Sequence, residues 1–212
     1  MKIEKLIAEL AGTAALLIAV VGSSFMANRL TTDAAIALLI NAAVTAAGLA
    51  VLIKVFSPIS GAHFNPAVSL AAFITKRIVA KDFIGYVTAQ LVGAVFGVFL
   101  ANAMFSNSIL NISEVERSGS GQIIGELIAT CGLVLLALSA NAKSAWKLIP
   151  LWIFGAYFFT ASTSFANPAV TASRTLTDAP AGIAPNSVTM FVLTQLLAAV
   201  LTAWIFARKA RA

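Results

Sequence analysis

The sequence predicts an all-α membrane protein with six spanning helices, two half-helices and an inverted internal repeat. Of 212 residues, 60% are hydrophobic and 10% charged, with a mean hydropathy of +0.95, which is too apolar for a soluble domain of this length. Six apolar segments each approach the ~20 residues that a spanning helix needs. The tetrapeptide Asn-Pro-Ala-Val occurs twice, at 65–68 and 167–170, each time where a hydrophobic segment is broken.

The spans are placed at about 4–27, 34–54, 82–105, 121–141, 146–162 and 187–207. The first has Lys2 and Lys5 ahead of an apolar stretch, as a signal peptide does, but it carries Glu9 and recurs later in the chain, so it is read as a helix that stays. The breaks at 54–82 and 162–187 hold the two motifs. Asn65 and Asn167 are strong N-caps, and Pro66 and Pro168 suit a first helical position because they have no N–H to leave unpaired. Each motif therefore starts a helix, over 67–76 and 168–178, of roughly 16 Å at 1.5 Å per residue. That is half of the ~30 Å hydrocarbon core. Half-helices entering from opposite faces would bring two positive dipole ends and both Asn amides to the midplane. Irregular backbone is tolerated there only where it is buried in protein or lines a watery cavity.

The formal net charge of +6 does not suggest nucleic acid, because the basic residues sit between apolar segments rather than in a patch. They encode orientation in a lipid bilayer. With a cytoplasmic N-terminus, Lys2, Lys5, Lys54, Lys76, Arg77, Lys81, Lys143, Lys147, Arg208, Lys209 and Arg211 lie inside, against Arg29, Arg117 and Arg174 outside. Eleven against three places both termini in the cytoplasm.

The chain also repeats itself. Ala8-Glu9-Leu10-Ala11-Gly12-Thr13 aligns with Gly125-Glu126-Leu127-Ile128-Ala129-Thr130, and the segment around Gln90 aligns with that around Gln195. Three spans per half invert the second half relative to the first, as in secondary transporters. We expect one channel domain over 1–212, with repeats at about 1–105 and 121–212 joined by an extracellular loop at 106–120. A single Cys131 allows no intrachain disulfide and reads as a small core residue rather than a reactive thiol, and His63, the one histidine, leaves no metal cluster. No nucleophile–base set, metal or cofactor site emerges, so an enzyme is not expected.

The stretch Ser60-Gly61-Ala62-His63-Phe64-Asn65-Pro66-Ala67-Val68, the second Asn167-Pro168-Ala169, the paired Glu helices and Tyr86-Val87-Thr88-Ala89-Gln90 resemble the aquaporin and aquaglyceroporin (major intrinsic protein) family over nearly the whole chain. The resemblance implies a homotetramer in which every protomer has its own pore for water or small neutral solutes. It also implies a constriction at fixed offsets from the motifs: Thr45, 20 residues before Asn65, and Gly155, Ser164 and Val170, which stand 12 before, 3 before and 3 after Asn167. Water-selective members resemble one another in an aromatic, a His, a small residue and an Arg; glycerol facilitators keep the Arg and have Gly at the second position. Val170 in place of the Arg resembles a bacterial inner-membrane subgroup associated with arsenic resistance, which conducts arsenite as neutral As(OH)3. A filter of Thr, Gly, Ser and Val should be wide and admit polyols, urea or metalloid hydroxides, and water besides. The carbonyls of Gly61, Ala62, His63, Thr163, Ser164 and Phe165 should line the path beside the Asn pair, and ion exclusion should fall mainly to the half-helix dipoles.

Other polar residues have two readings each. Glu9 and Glu126 would be a proton relay in a coupled transporter; as scaffold they accept backbone N–H groups of the half-helix loops, and their symmetric placement favours the scaffold. Gln90 and Gln195 fit interhelical hydrogen bonding. His63 is expected to shape the cytoplasmic vestibule rather than gate. Arg174, four residues after Val170, either reaches back over the filter or pairs with Asp178 and decorates the outer vestibule. A passive channel for neutral solutes is thus favoured over a water-selective pore, and over an ion-coupled transporter, which saturable flux would reveal.

Overall fold

The computed structural model describes residues 2–141 and 143–209; Met1, Ala142 and 210–212, with Arg211 of the basic set, lie outside the described residues, as does the Lys209 side chain. Eight α-helices follow in order: α1 (Ile3–Leu30), α2 (Ala34–Ser60), α3 (Pro66–Ile74), α4 (Ala80–Met104), α5 (Ser120–Ser139), α6 (Ala145–Phe159), α7 (Pro168–Ser173, continued by a 3-10 turn at Arg174–Leu176) and α8 (Pro185–Lys209). α1, α2, α4, α5 and α8 are long and apolar enough to cross a membrane. The apolar α6 has 15 residues, about 22 Å of helix.

Local chemistry sets the ends. Asp33 caps α2 by accepting from the Ala35 and Ile36 N–H groups at 2.8 and 2.9 Å. α2 runs six residues past the expected end at 54 and stops where Gly61 turns left-handed at φ +93°, a conformation glycine takes without a Cβ penalty. α3 closes in a Schellman turn: Lys76 has φ +59°, its N–H reaches Phe73 O at 3.0 Å, and the Arg77 N–H reaches Ala72 O at 2.8 Å.

The second half-helix is shorter than the expected 168–178. Its later carbonyls are already taken: Arg174 O accepts from Ile183 N, Thr175 O from Ser113 N, and Leu176 O from Asn102 Nδ2 and Asn111 N. An α-ladder would use the first two of those acceptors for the N–H groups of Asp178 and Ala179, and Pro180 has no N–H to extend it; the chain tightens to 3-10 and turns away. The loop at 106–119 thus folds back onto the end of α7, with Ser113 only 1% exposed, rather than lying free as a polar connection.

Packing repeats in pairs. α1 packs on α2 and α4 as α5 packs on α6 and α8, while α3 lies against α8 and α7 against α4. α1 and α4 meet backbone to backbone, because a Cβ on Gly93 would stand 2.3 Å from Leu10 O, and one on Gly97 would stand 2.3 Å from Ala14 O.

The ends of the bundle differ in charge. At one end Lys54 and Lys147 flank the Trp146 ring at 5.3 and 5.0 Å, and Arg77 donates to Leu138 O at 2.6 Å and lies 5.3 Å from the Phe206 ring. We call this the basic end. At the other, Arg29 donates to Phe105 O at 2.7 Å.

Candidate functional site

The two Asn-Pro-Ala loops meet in the middle of the bundle and hold each other. Asn65 Oδ1 accepts from its own helix at Ala67 N (2.8 Å), and Asn167 Oδ1 from Ala169 N and Val170 N (3.0 and 3.3 Å). Each side-chain amide then donates across: Asn65 Nδ2 to Ala166 O and Asn167 Nδ2 to Phe64 O, both at 2.8 Å. An amide nitrogen carries two N–H groups, so one per Asn remains for the cavity that both residues line.

Each loop is strained in the same pattern. Gly61, Ala62 and Phe64 have φ of +93°, +52° and +50°; Thr163, Ser164 and Ala166 have +57°, +53° and +48°. Left-handed backbone costs a residue with a Cβ roughly 1–2 kcal/mol, so something must hold it. The holders are the two buried carboxylates. Glu9 accepts from Ser60 Oγ and His63 N through Oε1 (2.7 and 2.9 Å), and from Phe64 N and Gln90 Nε2 through Oε2 (both 2.7 Å). Glu126 accepts from Phe165 N at 2.9 Å, Ala166 N at 2.8 Å and Gln195 Nε2 at 2.6 Å. Gln90 also donates to Ser69 Oγ, and Gln195 to Thr171 Oγ1, at 3.0 and 2.9 Å. Ser69 and Thr171 each stand four residues after their Asn, a matched pair that the sequence reading did not single out.

A cavity of about 590 Å³ runs through the bundle past this junction. Towards the basic end it is walled by Lys5, Arg77 and His63, whose Nδ1 lies 3.0 Å from Ser69 Oγ. Gly61, Ala62, Ser164 and Phe165 line it, whereas Thr163 is not on its wall. Beyond the Asn pair its wall holds Thr45, Ser164, Val170 and Arg174.

Two expected positions differ. Gly155 is not on the cavity wall: α6 presents Ile149, Ile153 and Tyr157, spaced by four, while Gly155 faces the Phe159 ring, 3.3 Å from where its Cβ would be. Two residues on a 3.6-residue helix are about 200° apart, so Tyr157 and Gly155 cannot share the cavity face. Tyr157, missed in the sequence, donates from its hydroxyl to Thr45 Oγ1 at 3.3 Å. Arg174 does not pair with the exposed Asp178. It is 3% exposed and donates from Nε to Ala181 O, with Cζ 3.5 Å from the Phe165 ring centroid. On the same ring, 4.8 Å away, lies Arg117 of the 106–119 loop. Arg117 donates from Nε to Gly182 O at 2.9 Å and from its backbone N–H to Ser187 Oγ at 3.0 Å. Burial lowers the Arg117 pKa, against the raising attraction of Glu126.

With this geometry in view, the major intrinsic protein family model matches residues 1–162. This chain belongs to the major intrinsic protein family. The match ends before the second Asn-Pro-Ala copy, yet aquaglyceroporin AqpS of Rhizobium meliloti (strain 1021) is 45% identical over 197 residues, 92% of this chain and 84% of its own length. An aquaglyceroporin of Toxoplasma gondii is 35% identical over 127 residues, covering 57% of this chain and 48% of its own. The X-ray structure of the aquaglyceroporin from Plasmodium falciparum has the same fold, with a TM-score of 0.73 at 21% identity over 97% of this chain and 94% of that one. This major intrinsic protein is therefore an all-α integral membrane protein of the aquaporin-like fold.

Proposed function

We propose that this major intrinsic protein is a passive transmembrane channel for small neutral solutes, namely polyols such as glycerol, urea and metalloid hydroxides such as arsenite, with water passing as well. The observation that carries it is the cavity past Asn65 and Asn167, whose wall joins polar Thr45, Ser164 and Tyr157 to apolar Val170. A solute must exchange its hydration for such a wall, and a mixed wall suits molecules that carry hydroxyls on a small apolar frame. Family membership and the 45% identical aquaglyceroporin favour this reading over a water-selective pore. The direct bonding of both carboxylates to loop N–H groups favours a fixed scaffold over the proton relay of a coupled transporter.

In the cell we place the protein as a homotetramer in the bacterial inner membrane, its basic end and both termini cytoplasmic, with repeats over about 1–105 and 121–212. The test is flux in proteoliposomes. Glycerol, urea and arsenite should enter faster than into protein-free vesicles, at rates linear in concentration and indifferent to ionophores. Saturating flux that collapses with an ion gradient would establish a transporter instead.

A further inference from the structure

Val170 removes the positive charge expected at its position, but the constriction is not uncharged. Arg174, one helical turn further, lines the same cavity. Two segments fix its guanidinium. Phe165, whose own N–H is bound to Glu126, offers a ring face at 3.5 Å. Ala181 offers its carbonyl to Nε. The loop carrying Ala181 is tied in turn, since Ala181 N donates to Ser24 Oγ at 3.0 Å and Gly182 O accepts from Arg117. A guanidinium has five N–H donors. Among the described residues only the Nε donor has a protein acceptor and Arg174 makes no ion pair, so the donors on both Nη atoms remain for the cavity.

We propose that Arg174 supplies the cavity beyond the Asn pair with the cation missing at Val170 and there repels cations and protons. Set one turn back, the guanidinium leaves the space beside Val170 open, which reconciles a wide pore with an electrostatic barrier. The inference rests on the cavity being the solute path.

Arg174→Gln keeps a donor for Ala181 O without the charge, and Arg174→Met keeps length and apolar bulk if Gln fails to reconstitute. Proton and potassium leak should rise roughly tenfold or more in either variant, since a charge on the cavity wall is worth several kT in a low-dielectric pore. Arg174→Lys should leak no more than wild type, and a glycerol flux above that of protein-free vesicles in each variant establishes that the channel has reconstituted. Wild-type vesicles that conduct glycerol, beside uncharged variants as tight to cations as wild type, would overturn the inference alone. Wild-type vesicles with no glycerol flux would instead overturn the channel reading.

Discussion

Val170→Arg is expected to lower glycerol and urea flux by about tenfold or more while water flux falls far less. Val170 is 5% exposed and shares the constriction with Thr45, Tyr157 and Ser164. A guanidinium there would occupy the open side of the wall and stand one helical turn from Arg174. Val170 already lines the cavity, so a longer side chain there extends into it. Water needs little width and can bond to either guanidinium; a three-carbon polyol needs the apolar side that Val170 provides. Stopped-flow light scattering on both proteins reads the glycerol-to-water ratio. An unchanged ratio would mean that Val170 does not border the narrowest part of the path.

Glu9→Leu and Glu126→Leu should each destabilise the fold by about 3–5 kcal/mol, because each leaves two loop N–H groups and one of the two N–H groups of a Gln amide without an acceptor in a water-poor interior. Both carboxylates are fully buried. The loops they hold contain five non-glycine residues in left-handed backbone: Ala62, Phe64, Thr163, Ser164 and Ala166. Without the acceptor these residues relax, so flux should vanish along with the lower unfolding midpoint in SDS titration. Glu→Gln at either site keeps one acceptor oxygen and should lose less. A stable, conducting Leu variant would show that the Asn caps and the reciprocal amide bonds suffice.

The parts legible in the sequence are those set by local chemistry. Asn-Pro starts a helix whatever surrounds it, so the starts of α3 and α7 follow from Asn65-Pro66 and Asn167-Pro168. The spans follow from apolar length, and the paired Glu and Gln positions from internal repetition. What depended on long-range contacts was not legible. Gly155 was located by counting back from Asn167 through the non-helical stretch before it, and such a count carries no helical phase, so the side chain actually on the cavity is Tyr157, two residues on. The pairing of Arg174 with Asp178 presupposed α-helix as far as 178. The backbone acceptors at 174–176 are instead used by the 106–119 loop, Asn102 and Ile183; Pro180 signals that the helix stops nearby, but nothing in the sequence signals these distant donors. The same loop brings Arg117 onto Phe165, a contact across 48 residues of sequence.

The central claim is that solutes cross through the cavity between Asn65 and Asn167, and covalent block tests it most directly. Cys131, half-buried and near Ala198 O at 3.9 Å rather than on the cavity wall, is first replaced by Ser, which should leave flux intact. Ser164→Cys in that background places one thiol on the wall. A methanethiosulfonate reagent, its attachment counted by mass spectrometry, should then abolish glycerol flux, and a reducing agent should restore it. Complete labelling with undiminished flux would contradict the account, because the solute would be travelling elsewhere.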